Sequence, residues 1–188
     1  MQNKTWLRFR VPLGFLFAGW YLIVARPSSR AFLTGCIVLV TVGCALRSWA
    51  AGYLLKGKRV AVGGPYAFIR HPLYVGSFLI GFGFCLVLWR RPLPIHSLIL
   101  WSAFLLGFGV LYRGKSLAEE QELSTHLGEP YQRYAKKVPA FLPWRGRIAD
   151  LGLERFSGEL YRRNREYQCI LGSAALIAIL TLKYFHAL

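Results

Sequence analysis

The sequence predicts an all-α, polytopic membrane helix bundle with about five transmembrane helices. Three observations support this fold class. Of the 188 residues, 55% are hydrophobic, and the mean hydropathy is +0.37, which is more than a soluble core requires. The charged residues lie, with few exceptions, between five apolar stretches. The positive charges are also concentrated on the segments that such a bundle would place on one side of the membrane.

Five apolar stretches are the candidate spans. They cover residues 11–25, 31–55, 73–89, 94–112 and 167–188. The first is short enough to resemble the apolar part of a signal peptide, but no small-x-small cleavage pattern precedes Arg26. We expect one domain over residues 1–188, with a cytoplasmic helical segment between the fourth and fifth spans. In that segment, residues 148–161 carry apolar residues among charges, as an interfacial helix or a solvated connector would.

The net charge of +16 would indicate a nucleic-acid partner in a soluble protein, but a membrane accounts for it better. If the N-terminus is cytoplasmic, most of the 24 Lys and Arg residues fall on the inner side, in the N-terminal tail, residues 56–72 and residues 113–166. This asymmetry follows the positive-inside rule. We expect a multi-pass protein of the bacterial inner membrane whose partner is the lipid bilayer, without nucleic acid and without an evident obligate protein partner.

The third and fourth spans are predicted to form a tight antiparallel hairpin, because only residues 90–93 join them. Equal rise along both arms places Gly64 opposite Glu119 and His71 opposite Tyr112. We expect the fourth helix to continue to residue 127, since no strong helix breaker precedes Gly128. The polar ends of both arms would then meet at the cytoplasmic surface.

A first cluster of chemistry-bearing residues lies at 64–76, with the sequence GPYAFIRHPLYVG. Pro72 fits the first turn of a helix, so Arg70 and His71 should precede the helix start. Free backbone N–H groups and the positive end of the helix dipole favour an anionic group at this corner. Gly76 leaves room for a ligand to approach the backbone.

A second cluster lies at 119–143, with the sequence EEQELSTHLGEPYQRYAKKVPAFLP. All eight acidic residues of the chain lie between Glu119 and Glu166, so any catalytic carboxylate must come from that segment. A bare acidic cluster is most often a solvated helix face. The hairpin, however, brings Glu119 and Glu120 beside the first cluster, where they could bind ribose hydroxyls, an amino group or a sulfonium.

Together, the two clusters resemble the paired signatures of the isoprenylcysteine carboxyl methyltransferase and phospholipid N-methyltransferase superfamily. The resemblance covers about residues 47–143 and keeps both spacings, with Leu127 where the family usually has Phe. It implies a helical, non-Rossmann methyltransferase that uses S-adenosyl-L-methionine and takes a lipidic or amphiphilic acceptor from the bilayer at the cytoplasmic face. The cofactor-binding residues on this basis are Tyr66, Arg70, His71, Pro72, Tyr74, Gly76, Glu119, Glu120, Tyr131 and Tyr134.

The catalytic candidates are Arg47, Glu119 and Glu120. Arg47 lies inside the second span, where an unpaired charge is costly. It either snorkels to the headgroups or faces a polar cavity and holds an anionic group of the acceptor, and we favour the second. A carboxylate acceptor needs no general base, whereas an amine would first lose a proton to Glu119, Glu120, His71 or His126.

Both the methyl acceptor and the class of function remain open at this level. The acceptor could be a prenylated cysteine, a phospholipid amine, or a small amphiphilic thiol or amine. An NADPH-dependent enzyme similar to membrane sterol reductases, or a non-enzymatic lipid-binding protein, would share parts of the pattern. The sequence GVLYRGKS at residues 109–116 matches a phosphate-binding loop, but it interrupts an apolar span rather than following a strand. No His and Cys spacing indicates a metal site.

Overall fold

The computed structural model describes residues 19–54, 60–89, 95–141 and 156–186, and these residues form helices and connecting turns without a strand. A helical stretch at residues 19–24 comes first. It is followed by α1 (Arg30–Ala51), a 3-10 helix (Gly64–Ala67), α2 (Pro72–Leu86), α3 (Ile95–Leu127), α4 (Glu129–Lys137), α5 (Gly158–Asn164) and α6 (Tyr167–Phe185). The predicted all-α fold class is confirmed.

Three of the described helices are long and apolar enough to cross a membrane, namely α1, α3 and α6. The apolar helix α2 has 15 residues and is shorter than a typical span. A polytopic membrane bundle is therefore confirmed, whereas the number of five spans stays a prediction. The first predicted span, at residues 11–25, is described only from residue 19. The predicted interfacial helix, at residues 148–161, is described only from residue 156.

Helices α1 and α2 approach each other closely through two glycines. A Cβ atom on Gly43 would lie 2.7 Å from the Gly76 carbonyl oxygen, and one on Gly76 would lie 2.8 Å from the Gly43 carbonyl oxygen. Small residues let helix backbones come together where lipid tails supply no hydrophobic drive for association. This contact makes α1 and α2 the central pair, with α6 against one side of α1 and α3 against α2.

The α2–α3 hairpin follows the predicted register near its connection. The rings of Phe82 and Trp101 lie 5.5 Å apart, and those of Phe78 and Phe104 lie 5.7 Å apart. Each of these pairs matches the predicted equal rise along the two arms.

Nearer the polar end the predicted pairing is wrong. His71 lies 2.9 Å from Glu120 rather than opposite Tyr112, and Gly64 packs on the ring of Tyr53 rather than opposite Glu119. Helical side chains tilt toward the N-terminus of their own helix. A glutamate on α3 therefore reaches back along the bundle, which accounts for part of the eight-residue difference between the predicted position 112 and Glu120.

Helix α3 runs unbroken to Leu127, as predicted, and residues 109–116 are helical within it. The phosphate-loop pattern therefore forms no loop. Gly128 ends the helix with φ of +60°, a left-handed conformation that favours glycine, and α4 begins at the next residue. This sharp junction turns α4 back toward the start of α2.

Replacing Gly43 by Ala should destabilise the bundle by about 1–3 kcal/mol, because the new methyl group would overlap the Gly76 carbonyl. Thermal unfolding in detergent would measure the loss. Gly107→Ala on α3 is the matched control, since a Cβ there meets nothing within 4 Å. Equal melting temperatures for the two variants would contradict the close α1–α2 approach.

Candidate active site

The two sequence clusters meet through backbone hydrogen bonds. Helix α2 begins at Pro72 with His71 as its N-cap, as predicted. The Arg70 amide donates to the Pro139 carbonyl over 2.9 Å, and the His71 amide donates to the Ala140 carbonyl over 3.1 Å. The segment after α4 thus holds the corner before α2, and it uses N–H groups that a helix start leaves without a helical partner.

Side chains from the two clusters form one charged network. Glu120 Oε1 lies 2.9 Å from His71 Nε2 and 2.8 Å from Arg70 Nη1. The Tyr74 hydroxyl donates to Glu119 Oε2 over 2.8 Å. Helix α3 therefore supplies two adjacent carboxylates, and the residues at the start of α2 supply the guanidinium, the imidazole and the phenol that meet them.

Aromatic rings enclose the His71 imidazole. Tyr74 stacks on it with ring centroids 5.3 Å apart, and Phe141 lies at 5.4 Å with a tilt of 30°. Tyr112 meets the Tyr74 ring edge-on at 4.8 Å. Sequence reasoning missed Phe141, and the only signal for it was its place inside the V-P-x-x-x-P ending of the second cluster.

Three tyrosines lie where α4 meets this corner, and of these Tyr66 and Tyr131 are buried and Tyr134 is half-buried. The Tyr134 hydroxyl donates to the Tyr66 carbonyl over 2.8 Å and so joins α4 to the 3-10 helix. Burial raises the pKa of Tyr66, of Tyr131 and of Tyr134 above the ordinary value, and the charge of Glu119 raises the pKa of Tyr66 further. All three phenols therefore remain hydrogen-bond donors at neutral pH.

Two buried polar atoms at the site lack a hydrogen-bond partner within the described part of the chain. They are the Tyr131 hydroxyl oxygen and Arg70 Nε. Buried polar groups are nearly always satisfied in folded proteins. Both atoms belong to residues predicted to bind the cofactor, and a polar ligand could satisfy them.

A cavity of about 460 Å³ opens between α3 and α4. Of the predicted site residues, it is lined by Arg70, Glu120 and Tyr131. Residues that sequence reasoning did not single out also line it: Leu117, Gln121, Ser124, Gln132, Ala135 and Lys136. The spacing of three and four residues on α3 could have found its members, because they share one helix face with Glu120.

The other eight predicted residues do not line this cavity, and two of them, Arg47 and Gly76, pack against each other between α1 and α2. A Cβ atom on Gly76 would lie 2.6 Å from Arg47 Cγ, so the Arg47 side chain fills the room that Gly76 leaves. Arg47 donates from Nε to Glu166 Oε2 over 2.9 Å and from Nη2 to Glu166 Oε1 over 3.0 Å. Sequence reasoning missed Glu166, and the acceptor-binding role of Arg47 stays a prediction.

The chain is similar to several curated proteins. It is 31% identical over 132 residues to the protein-S-isoprenylcysteine O-methyltransferase of Schizosaccharomyces pombe, covering 70% of this chain and 48% of that one. It is 32% identical over 119 residues to the nickel-cobalt-cadmium resistance protein NccN of Alcaligenes xylosoxydans xylosoxydans, covering 61% and 51%. It is 31% identical over 80 residues to methanethiol S-methyltransferase 1 of Bradyrhizobium diazoefficiens, covering 43% and 25%.

These relatives define a class of proteins that includes membrane methyltransferases. The chain is homologous to the isoprenylcysteine carboxyl methyltransferase-like superfamily, and the resemblance predicted from the two signatures is confirmed. The chain spans about half the length of the first two of these relatives. No protein-family profile matches the chain, and no solved structure matches it.

Replacing Glu120 by Gln should lower the stability by about 1–3 kcal/mol, because the variant loses charged hydrogen bonds to Arg70 and His71. A thermal melt of the detergent-purified protein would measure the change. Glu122→Gln, at an exposed position of the same helix, is the control. A Glu120 variant as stable as the Glu122 variant would show that the network contributes little to the fold.

Proposed function

We propose that this protein is an S-adenosyl-L-methionine-dependent methyltransferase of the membrane. The observation that carries the proposal is the meeting of the α3 carboxylates with the Arg70–His71 corner, in a chain homologous to membrane methyltransferases. The proposed acceptor is lipidic or amphiphilic, such as a prenylcysteine carboxylate or a phospholipid amine, and it reaches the site from the bilayer.

The residues at the site fit the chemical groups of this cofactor. Arg70 and Lys136 offer positive charge for its carboxylate, and Glu119 and Glu120 offer negative charge for its ammonium and sulfonium groups. The orphaned Tyr131 hydroxyl and Arg70 Nε are donors that a polar ligand would satisfy. The bound cofactor supplies an electrophilic methyl group, and the protein then has to hold the acceptor in line with it.

The proposed acid–base chemistry depends on the acceptor. A carboxylate acceptor requires no base, because it is already a nucleophile. An amine acceptor requires proton removal, and among the four candidate bases Glu119 is favoured because its side chain is 45% exposed. Glu120 and His71 bond to each other, and the His126 ring contacts the Glu122 carbonyl of its own helix.

The proposed location of the reaction is the cytoplasmic face of a bacterial inner membrane, with the N-terminus on the same side. The support for this orientation is the distribution of Lys and Arg, which places residues 56–72 and 113–166 inside. Both halves of the proposed site lie on these two segments. A reporter fused to the N-terminus would test the orientation.

Adding S-adenosylhomocysteine to the detergent-purified protein should raise its melting temperature, because a ligand that binds the folded state stabilises it. At about 100 times its dissociation constant the ligand would contribute roughly 2.7 kcal/mol. NADPH at the same concentration should give no shift. Stabilisation by NADPH alone would favour the reductase alternative, and no shift with either ligand would favour a non-enzymatic protein.

Tyr131→Phe should weaken S-adenosylhomocysteine binding by about 2- to 10-fold, the range of one hydrogen bond, without loss of stability. The reason is that the hydroxyl makes no hydrogen bond of normal geometry among the described residues, although the Arg70 side chain lies beside it, so a bound ligand would supply its first well-formed hydrogen bond. Titration calorimetry would measure affinity, and a thermal melt would measure stability. Tyr167→Phe, at an exposed position, is the control for the same atomic change. Unchanged affinity in the Tyr131 variant would remove this residue from the proposed pocket.

A further inference from the structure

A buried ion pair links the C-terminal helices to the signature region. Glu166 immediately precedes α6, and its two carboxylate oxygens accept hydrogen bonds from Nε and Nη2 of Arg47 on α1. The side chains of Arg47 and Glu166 are only 22% and 10% exposed. A two-point contact of this kind between an arginine and a carboxylate fixes the orientation of both planar groups.

The same guanidinium reaches the first two turns of α2. Arg47 Nη1 donates to the Ser77 hydroxyl and, over 3.3 Å, to the Leu73 carbonyl. The Ser77 hydroxyl in turn donates to the Leu73 carbonyl over 2.9 Å. Tyr74 lies between these two residues and donates to Glu119 from the neighbouring face of α2. A continuous hydrogen-bonded path therefore runs from Glu166 to the turn that carries Tyr74.

The chain around Glu166 is held in place independently. The Asn164 side-chain amide donates to the carbonyls of Ala51 and Leu54, each over 3.0 Å, at the end of α1. Arg165 then adopts φ of 55°, a left-handed conformation that is uncommon for a residue with a side chain. This turn separates α5 from α6 and presents Glu166 to Arg47. Strained residues of this kind persist where the surrounding structure requires them.

From this geometry we infer that Glu166 is a positioning residue of the proposed active site. Its carboxylate holds the Arg47 guanidinium, and Arg47 holds the Leu73–Ser77 turn of α2, so Tyr74 keeps its place opposite Glu119. The C-terminal helices are then part of the methyltransferase site, although they lie beyond the signature region. This inference rests on the proposed function.

Affinity for S-adenosylhomocysteine tests the inference without a known methyl acceptor. Titration calorimetry on the full chain, well below the melting temperature, should show about tenfold weaker binding for Glu166→Gln, a size typical of coupling within one hydrogen-bond network. Ser77→Ala, a milder variant that keeps both charges, should weaken binding about threefold for the same reason. Lys183→Met is the control, because Lys183 holds the far end of α6 by donating to the carbonyls of Leu22 and Ala25.

The Lys183 control should lower the melting temperature and leave the affinity within about twofold of the parent chain, since it loosens α6 away from Arg47. Unchanged affinity in folded Glu166→Gln would overturn the inference, as would an equal loss in Lys183→Met. If Glu166→Gln fails to fold, unchanged affinity in Ser77→Ala overturns it. A parent chain that binds no S-adenosylhomocysteine would overturn the proposed function first, and this inference with it.

Arg47→Lys separates the inference from the role that the sequence predicted for Arg47. A residue that only holds an anionic acceptor group would leave affinity for S-adenosylhomocysteine unchanged when Arg47 is replaced. A positioning residue would weaken it, because lysine cannot form the two-point contact with Glu166 while also donating to Ser77. Unchanged affinity in this variant counts against the inference.

Discussion

Much of this structure depends on the Glu120 carboxylate. One of its oxygen atoms, Oε1, contacts both Arg70 and His71. The partners are about 50 residues apart in sequence and belong to opposite arms of the α2–α3 hairpin. A partly buried carboxylate is costly without a counter-charge, and the Arg70 guanidinium equally needs an anion. Each arm therefore satisfies the other. The Glu120 contacts join the two arms directly beside the hydrogen bond from Tyr74 to Glu119.

Helix α2 lies between two charged networks, and each network involves different neighbouring helices. On one face it carries His71 and Tyr74 toward α3, and on the other it accepts the Arg47–Glu166 pair from α1 and α6. The glycine at position 76 makes this arrangement feasible, because it lets α1 come close enough for Arg47 to lie along α2. Our inference about Glu166 requires that a change in one network reach the other through helix α2.

The homology and the geometry support the methyltransferase proposal in different ways. The relatives include a protein-S-isoprenylcysteine O-methyltransferase and a methanethiol S-methyltransferase, so similarity at this level indicates methyl transfer and does not specify the acceptor. The geometry contributes a cavity that is lined by charges of both signs and by the buried Tyr131 phenol, whose pKa is raised by burial. These features suit a ligand that carries a carboxylate, an ammonium and a sulfonium at once, whatever the acceptor is.

The sequence by itself determined the local structure. The apolar stretches predicted the helices, Pro72 marked the start of α2, and the absence of a breaker before Gly128 predicted the length of α3. The short connection at residues 90–93 predicted the antiparallel hairpin that brings the two signature clusters to one end of the bundle, although its arms are unequal, since α2 has 15 residues and α3 has 33. Such inferences succeed because they use spacing along one helix or across one short turn.

Only the tertiary structure decided which side chains pair. His71 meets Glu120, eight residues beyond the position that backbone counting predicted, and the lean of helical side chains toward their own N-termini explains only part of this offset. Arg47 pairs with Glu166 across 119 positions of sequence, through a bundle contact that no periodicity encodes. Spacing along the chain specifies helices and their ends, whereas the partners of a charge inside a bundle depend on how whole helices pack.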